Sequence, residues 1–175
     1  MQDETDGPGP APDEATIAFA GRVFQAARSG QTAELAEVLH AGLPPNLRND
    51  KGDTLRMLAS YHGHADTVRA LLEAGADPEI ANDRGQTPLA GACFKGDIDV
   101  ARLLLAHGAR VDGSGEDGRT ALMVAAMFNR TAIVELLLQH GADAGARDAR
   151  GITAEGAAEA MGAADTPGLL ARFNA

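Results

Sequence analysis

Four glycines, Gly52, Gly85, Gly118 and Gly151, stand 33 residues apart, and each is followed two positions later by a threonine: Thr54, Thr87, Thr120 and Thr153. A period of this length, carried by a turn residue and a helix-capping residue, restricts the chain to a stack of one small supersecondary unit. A unit of that size cannot bury its own apolar face, so it lays that face against a copy of itself. A fold built around one large enclosed core is disfavoured by the same period.

The logic inside a unit is local. The glycine turns the chain, and the threonine hydroxyl accepts a backbone N–H from the first turn of a helix. Pro88 follows Thr87 directly, at the first helical position, where a missing N–H costs nothing. This first helix is predicted to end near Gly30, Gly63, Gly96, Asn129 and Gly162, again 33 apart. Asparagine is the other residue that readily adopts the left-handed conformation that stops a helix, so Asn129 supports the register.

The second helix carries an apolar ridge in fixed columns: Val38-Leu39, Leu71-Leu72, Leu104-Leu105 and Leu137-Leu138, with Leu35, Val68, Ala101 and Val134 one turn earlier. Gly42, Gly75, Gly108 and Gly141 then end it. The units run 17–49, 50–82, 83–115, 116–148 and 149–175; the first lacks the turn glycine and threonine, and the last is cut short. Residues 1–16 hold Asp3, Glu4, Asp6, Asp13 and Glu14, no Lys or Arg and no apolar periodicity, and are predicted to be a disordered tail.

Composition narrows the function classes. Aromatic residues make up only 3% and tryptophan is absent, so the core is built from Leu, Ala, Val and Ile, which suits thin layers of short helices. The net charge of −10 and the lack of a basic patch argue against nucleic acid, whose binding depends on displacing counterions with clustered cations. A single cysteine, Cys93, excludes an intrachain disulfide and fits a reducing compartment. Its reading is that of a small buried side chain. The acidic N-terminus has no apolar stretch, and no run approaches the length of a membrane span. A soluble, cytoplasmic protein without a membrane partner is expected, and thirteen arginines against two lysines suggest a GC-rich bacterial genome.

Gly85-Gln86-Thr87-Pro88-Leu89, followed by Ala92, Gly96, Leu103-Leu104-Leu105 and Gly108-Ala109, closely resembles the ankyrin repeat, and the stretches Thr54 to Asp77 and Thr120 to Asp143 match the same pattern. The resemblance covers residues 17–175. It implies an all-α solenoid, a curved stack of helix–turn–helix units joined by β-hairpin-like loops, with a concave face used for protein recognition. It also implies that His64 is structural, hydrogen-bonding between neighbouring loops. The chain departs from the pattern in four places. Arg56 occupies the column of Leu89 and Leu122, where it is expected to snorkel its stem or pair with an acid. Glu155 falls in that column in the last unit, as suits a polar terminal layer. Pro167-Gly168 is expected to delay the last helix to near a capping Thr166, and Gly113-Ser114-Gly115 is expected to be the loosest internal joint.

Chemistry finds few candidates. Residues Gly113 to Gly118 spell GxGxxG, but Gly118 belongs to the repeat, no buried strand precedes it, and Glu116 and Asp117 would repel a pyrophosphate. His62 and His64 flank Gly63, while His107 and His140 lie one repeat apart; one cysteine cannot complete the usual zinc set. No Ser/His/Asp arrangement is suggested. No catalytic residue, cofactor or metal is therefore expected.

What remains is a column at the end of each first helix: Arg28-Ser29, Tyr61-His62, Phe94-Lys95, Met127-Phe128 and Ala160-Met161. In an ankyrin-like stack these positions look onto the concave face, and an apolar, aromatic patch there marks a binding surface. The alternative is that these side chains fold inward between layers. Asp50, Lys51, Asp53, Asp83, Arg84, Gln86, Glu116, Asp117 and Arg119 occupy the loop tips, where the family pattern leaves side chains free to form a charged rim that selects a partner. The chain reads as a non-catalytic protein-interaction module, monomeric when unbound. The alternatives are a small-molecule-responsive protein or enzyme using the concave groove, and a structural stabiliser within a complex.

Overall fold

The computed structural model describes residues 12–173; the part of the expected tail covering 1–11 lies outside them. Ten helices form five successive pairs: α1 (Glu14–Ser29) and α2 (Thr32–His40), α3 (Leu55–Tyr61) and α4 (Ala65–Glu73), α5 (Pro88–Lys95) and α6 (Ile98–Ala106), α7 (Ala121–Met127) and α8 (Thr131–Gln139), α9 (Ala154–Ala160) and α10 (Thr166–Phe173). The first helix of each pair stacks on the first helix of the next. The second helices from α2 to α8 do the same beside them, and α10 closes the end against α7, α8 and α9. The fold is an all-α solenoid.

Small residues set the spacing of the first-helix layer. Ala26, Ala59, Ala92, Ala125 and Ala158 form one buried column, and Ala27, Ser60, Cys93 and Ala126 form a second. Side chains this small let helices approach closely while keeping interior packing density. Cys93 is thus one member of a small-residue column. In the second layer Leu35, Val68, Ala101 and Val134 are fully buried, as are Leu71, Leu104 and Leu137.

Each first helix from α3 onward starts on its threonine: the hydroxyls of Thr54, Thr87, Thr120 and Thr153 accept the N–H of Met57, Ala90, Met123 and Gly156 at 3.1–3.3 Å. The stop columns hold left-handed backbone, including Asn129 with φ 55°. Helix α1 starts earlier than the sequence suggests. Asp13 accepts the Thr16 N–H at 2.8 Å, so residues 14–16 are helical rather than part of a disordered tail. Asp13 and Glu14, two of the acids that read as tail composition, are an N-cap and a first-turn charge on the helix dipole.

The loops are ordered by side chains three residues before the turn glycine. The Asn49 side-chain oxygen accepts the N–H groups of Lys51 and Asp53, that of Asn82 those of Arg84 and Gln86, and that of Asp148 those of Arg150 and Ile152. Gly115 stands in this column without such an acceptor. A Cβ at Gly115 would collide with the Gly85 carbonyl of the preceding loop, so glycine is there to allow a close backbone approach. The turn bond from Gly118 N to Gly115 O, 3.0 Å, matches that from Gly52 N to Asn49 O, and Ser114 bridges to Thr120.

Polar ties cross every interface between units. Asn46, Glu79 and Asp112, 33 apart, accept the backbone N–H of Asp77, Arg110 and Asp143 of the following unit at 2.8–3.1 Å. On the other side, His64 Nε2 lies 2.9 Å from the Arg28 carbonyl; the carbonyl can only accept, so Nε2 carries the proton. Two units on, Arg130 fills the same position and donates to the Phe94 carbonyl at 3.2 Å. Thr166 is the first residue of α10 rather than its cap, and its hydroxyl donates back to the Ala126 carbonyl at 2.7 Å.

Arg56 neither snorkels to solvent nor forms an ion pair. It is fully buried, and its guanidinium donates to the backbone carbonyls of Asp77 and Pro78, with Nε left without a partner. Burial pulls its pKa down to about 10, against the opposing pull of the nearby Asp77 and Glu79 carboxylates. The cation is held there at a cost. Arg56→Leu, which restores the side chain found at Leu89 and Leu122, is expected to leave stability unchanged or raise it by up to about 3 kcal/mol, whereas Arg56→Ala, which opens a cavity, should lose about 2–4 kcal/mol in urea unfolding. A loss with leucine as large as with alanine would show that the guanidinium bonds hold the loop.

Asn129 does more than terminate α7. Its side-chain oxygen accepts the N–H groups of Asp165 and Thr166 at 3.0 and 3.1 Å, and its amide donates to the Asp165 carboxylate at 2.9 Å. Asn129→Gly keeps the backbone conformation but removes these bonds to α10. It is expected to cost about 1–2 kcal/mol, with faster amide exchange confined to residues beyond 162. Unchanged exchange there would show that the bonds contribute nothing.

Candidate functional site

The C-terminal ends of α3, α5 and α7 lie side by side, which brings the Tyr61, Phe94 and Met127 column into register. The rings touch in sequence. Tyr61 stacks on Phe94 with centroids 5.8 Å apart and planes 13° apart, and Phe94 meets Phe128 edge-on at 4.8 Å. Such pairs are each worth about 0.5–1.5 kcal/mol beyond their buried area, so the ladder is a semi-rigid strip rather than three loose rings. Tyr61 and Phe94 remain 41% and 38% exposed, while Met127 and Phe128 are half-buried. Lys95 Nζ sits 5.3 Å above the Tyr61 ring, within cation–π range.

This strip is one wall of a groove of about 540 Å³. From the expected helix column the groove gathers Tyr61, His62, Phe94, Met127 and Phe128; from the loop tips it gathers Lys51, Asp53, Arg84, Gln86, Asp117 and Arg119. Lys95, Asp50, Asp83 and Glu116 are outside its lining. The groove also draws in Arg28, which heads the same concave-face column, and Met57, Leu58, Ala90, Gly91 and Val124, which were not among the expected binding residues. Their signal was present in the repeat columns, since Met57-Leu58, Ala90-Gly91 and Met123-Val124 occupy equivalent places.

Several loop-tip side chains expected to be free are tied into the scaffold. Asp53 accepts from Asn82 Nδ2 at 2.9 Å, Gln86 accepts from the same amide at 3.1 Å, and Asp83 pairs with Arg48 at 3.0 Å. Asp117 accepts the Arg119 N–H and lies 3.8 Å from that guanidinium. These bonds order the rim from one loop to the next. Asp50, Lys51, Arg84 and Glu116 form no ion pair among the described residues.

His62 senses the local field. Partial withdrawal from water, then the neighbouring His64, Lys95 and Arg28, hold its pKa below the ordinary histidine value. Its imidazole is therefore biased toward the neutral form. The remaining histidines face backbone: Nδ1 of His40, His107 and His140 lies 2.6, 2.9 and 2.8 Å from the carbonyl four residues earlier. Among the described residues no group of three or more His, Cys, Asp or Glu is placed to hold a metal ion. Cys93 is buried away from the groove lining, and burial pushes its thiol up to about 12, which leaves it protonated and unreactive at neutral pH. No helix among the described residues is long and apolar enough to cross a membrane.

Comparison with known proteins agrees with this architecture. A protein of Pseudomonas aeruginosa named as an ankyrin repeat protein is 58% identical over 65 residues, a match spanning 37% of this chain and 38% of that relative. A family model described as ankyrin repeats in three copies matches residues 23–114 and 75–148. With threonine-capped first helices, left-handed helix stops and 33-residue units stacked in two layers, the chain belongs to the ankyrin repeat family.

Proposed function

We propose that this chain is a non-catalytic interaction module that holds a protein partner against the groove over α3, α5 and α7, with the loop tips as its rim. Ankyrin repeats are generally protein–protein interaction modules. The observation that carries the assignment of the face is the Tyr61–Phe94–Phe128 ladder, which leaves large rings in water in a chain that has only six aromatic side chains of the Phe and Tyr type. Aromatic side chains are enriched at the centres of interfaces, where covering them removes the most apolar area. The rings are already ordered by each other, so binding loses little conformational entropy at this strip.

The volume also falls within the range of small-molecule clefts. Two of its largest walls, Tyr61 and Phe94, are nonetheless well exposed, and a small ligand would leave much of that surface uncovered. A partner segment covers it. A reducing, cytoplasmic setting suits the unpaired Cys93.

Tyr61→Ala combined with Phe94→Ala is expected to preserve the circular dichroism spectrum, because neither ring is buried in the core, while reducing capture of the partner from the native host at least tenfold at matched salt. Melting of the array by the pair would mark the rings as structural. Undiminished capture by a folded double variant would move the binding face elsewhere.

A further inference from the structure

Two columns of the repeat vary in side-chain size along the groove. Where the second unit presents Met57 and Leu58 and the fourth presents Met123 and Val124, the third presents Ala90 and Gly91. Gly91 lies within α5, where alanine would be the better helix former. Its backbone does not require glycine: φ is outside the left-handed region, and an added Cβ would meet only Met57 Sδ, at an ordinary 3.8 Å. The sizes of these side chains imply a notch over Ala90 and Gly91, between Met57 and Leu58 on one side and Val124 on the other, with Tyr61 and Phe94 alongside; Met57, Leu58 and Ala90 are themselves buried.

Charge supplies a second, independent observation. In a chain of net charge −10, the groove is lined by Arg28, Lys51, Arg84 and Arg119 against two carboxylates, Asp53 and Asp117. Both carboxylates are already engaged, Asp53 with Asn82 and Asp117 with Arg119. Arg28, Lys51 and Arg84 make no ion pair among the described residues. Asp50, Asp83 and Glu116 stand on the same loop tips outside the lining, so the excess of positive charge is confined to the lining, where it draws a ligand that carries carboxylates.

We propose that the groove takes an extended acidic segment of a partner protein, which seats one leucine- or phenylalanine-sized side chain in the notch over Ala90 and Gly91 while its carboxylates meet Arg28, Lys51 and Arg84. This rests on the reading of the groove as the partner-binding face. The chain's own residues 1–11 supply Asp3, Glu4 and Asp6 but only Met1 as a large apolar side chain, so they match the groove in charge and not in shape.

The test is selection of displayed random peptides on the full chain, followed by affinities of the enriched peptides for variants. Acidic sequences with one large apolar residue are expected, weakened about tenfold or more by Gly91→Leu, which fills the notch, and by Lys51→Glu with Arg84→Glu, which reverses the rim. The charge variant lies on exposed loop tips and keeps the test valid if Gly91→Leu unfolds the protein. Peptides that are lost with Tyr61→Ala and Phe94→Ala, yet are basic, lack an apolar residue or ignore both other variants, overturn the ligand chemistry while leaving the groove as the binding face. Peptides indifferent to the aromatic double variant overturn the groove reading itself. Failure to enrich any sequence, or competition by a synthetic peptide of residues 1–11 as strong as by the selected ones, overturns the assignment to a partner segment.

Discussion

Close approach of the first helices is the constraint on which the rest of this structure depends. Ala26, Ala59, Ala92, Ala125 and Ala158 are buried between layers, with Ala27, Ser60, Cys93 and Ala126 beside them, and their small size fixes the distance between one unit and the next. That distance brings Asn46, Glu79 and Asp112 within reach of the backbone of the following unit. It also brings Tyr61, Phe94 and Phe128 into ring contact. Stability in such a stack is a sum of units and nearest-neighbour interfaces, so the same contacts that hold the layers together aim the side chains of the groove.

What the sequence made legible was whatever depends on local chemistry. Threonine caps, glycine stops and the apolar ridge could be placed because each acts within its own unit, and the aromatic column followed from the same register. The groove-side arrangement was less legible where it depends on a neighbour. Asp53, Asp83 and Gln86 looked like free rim residues, but each is bonded to a residue within its own loop or the adjacent one. Gly115 read only as a source of slack, and its close approach to Gly85, which a Cβ would block, was not visible in the sequence. Arg56 read as a snorkelling or ion-paired side chain because its acceptors, the carbonyls of Asp77 and Pro78, are backbone groups that leave no mark in the sequence. Ala90 and Gly91 passed for ordinary small residues in a helix, and only the side chains on either side turn them into a notch.

Positions that obey the repeat and positions that break it contribute differently. Those that obey it cap, turn or fill, and their energetic role is stability. Gly91 lowers helix propensity without a backbone reason, and the Tyr61 and Phe94 rings leave apolar surface in water. Such departures are where a chain gives up stability for function. The two kinds of position meet in the groove, where a scaffold ordered from loop to loop supports a few side chains that the scaffold itself does not need.

The most direct test of that division is site-specific photo-crosslinking in the native host, with a photoreactive phenylalanine analogue placed either at position 94 in the groove or at position 102, where Arg102 is exposed on the second-helix layer. A discrete adduct from position 94 and none from position 102 is the predicted result. An adduct from position 102 with none from position 94 would contradict the account.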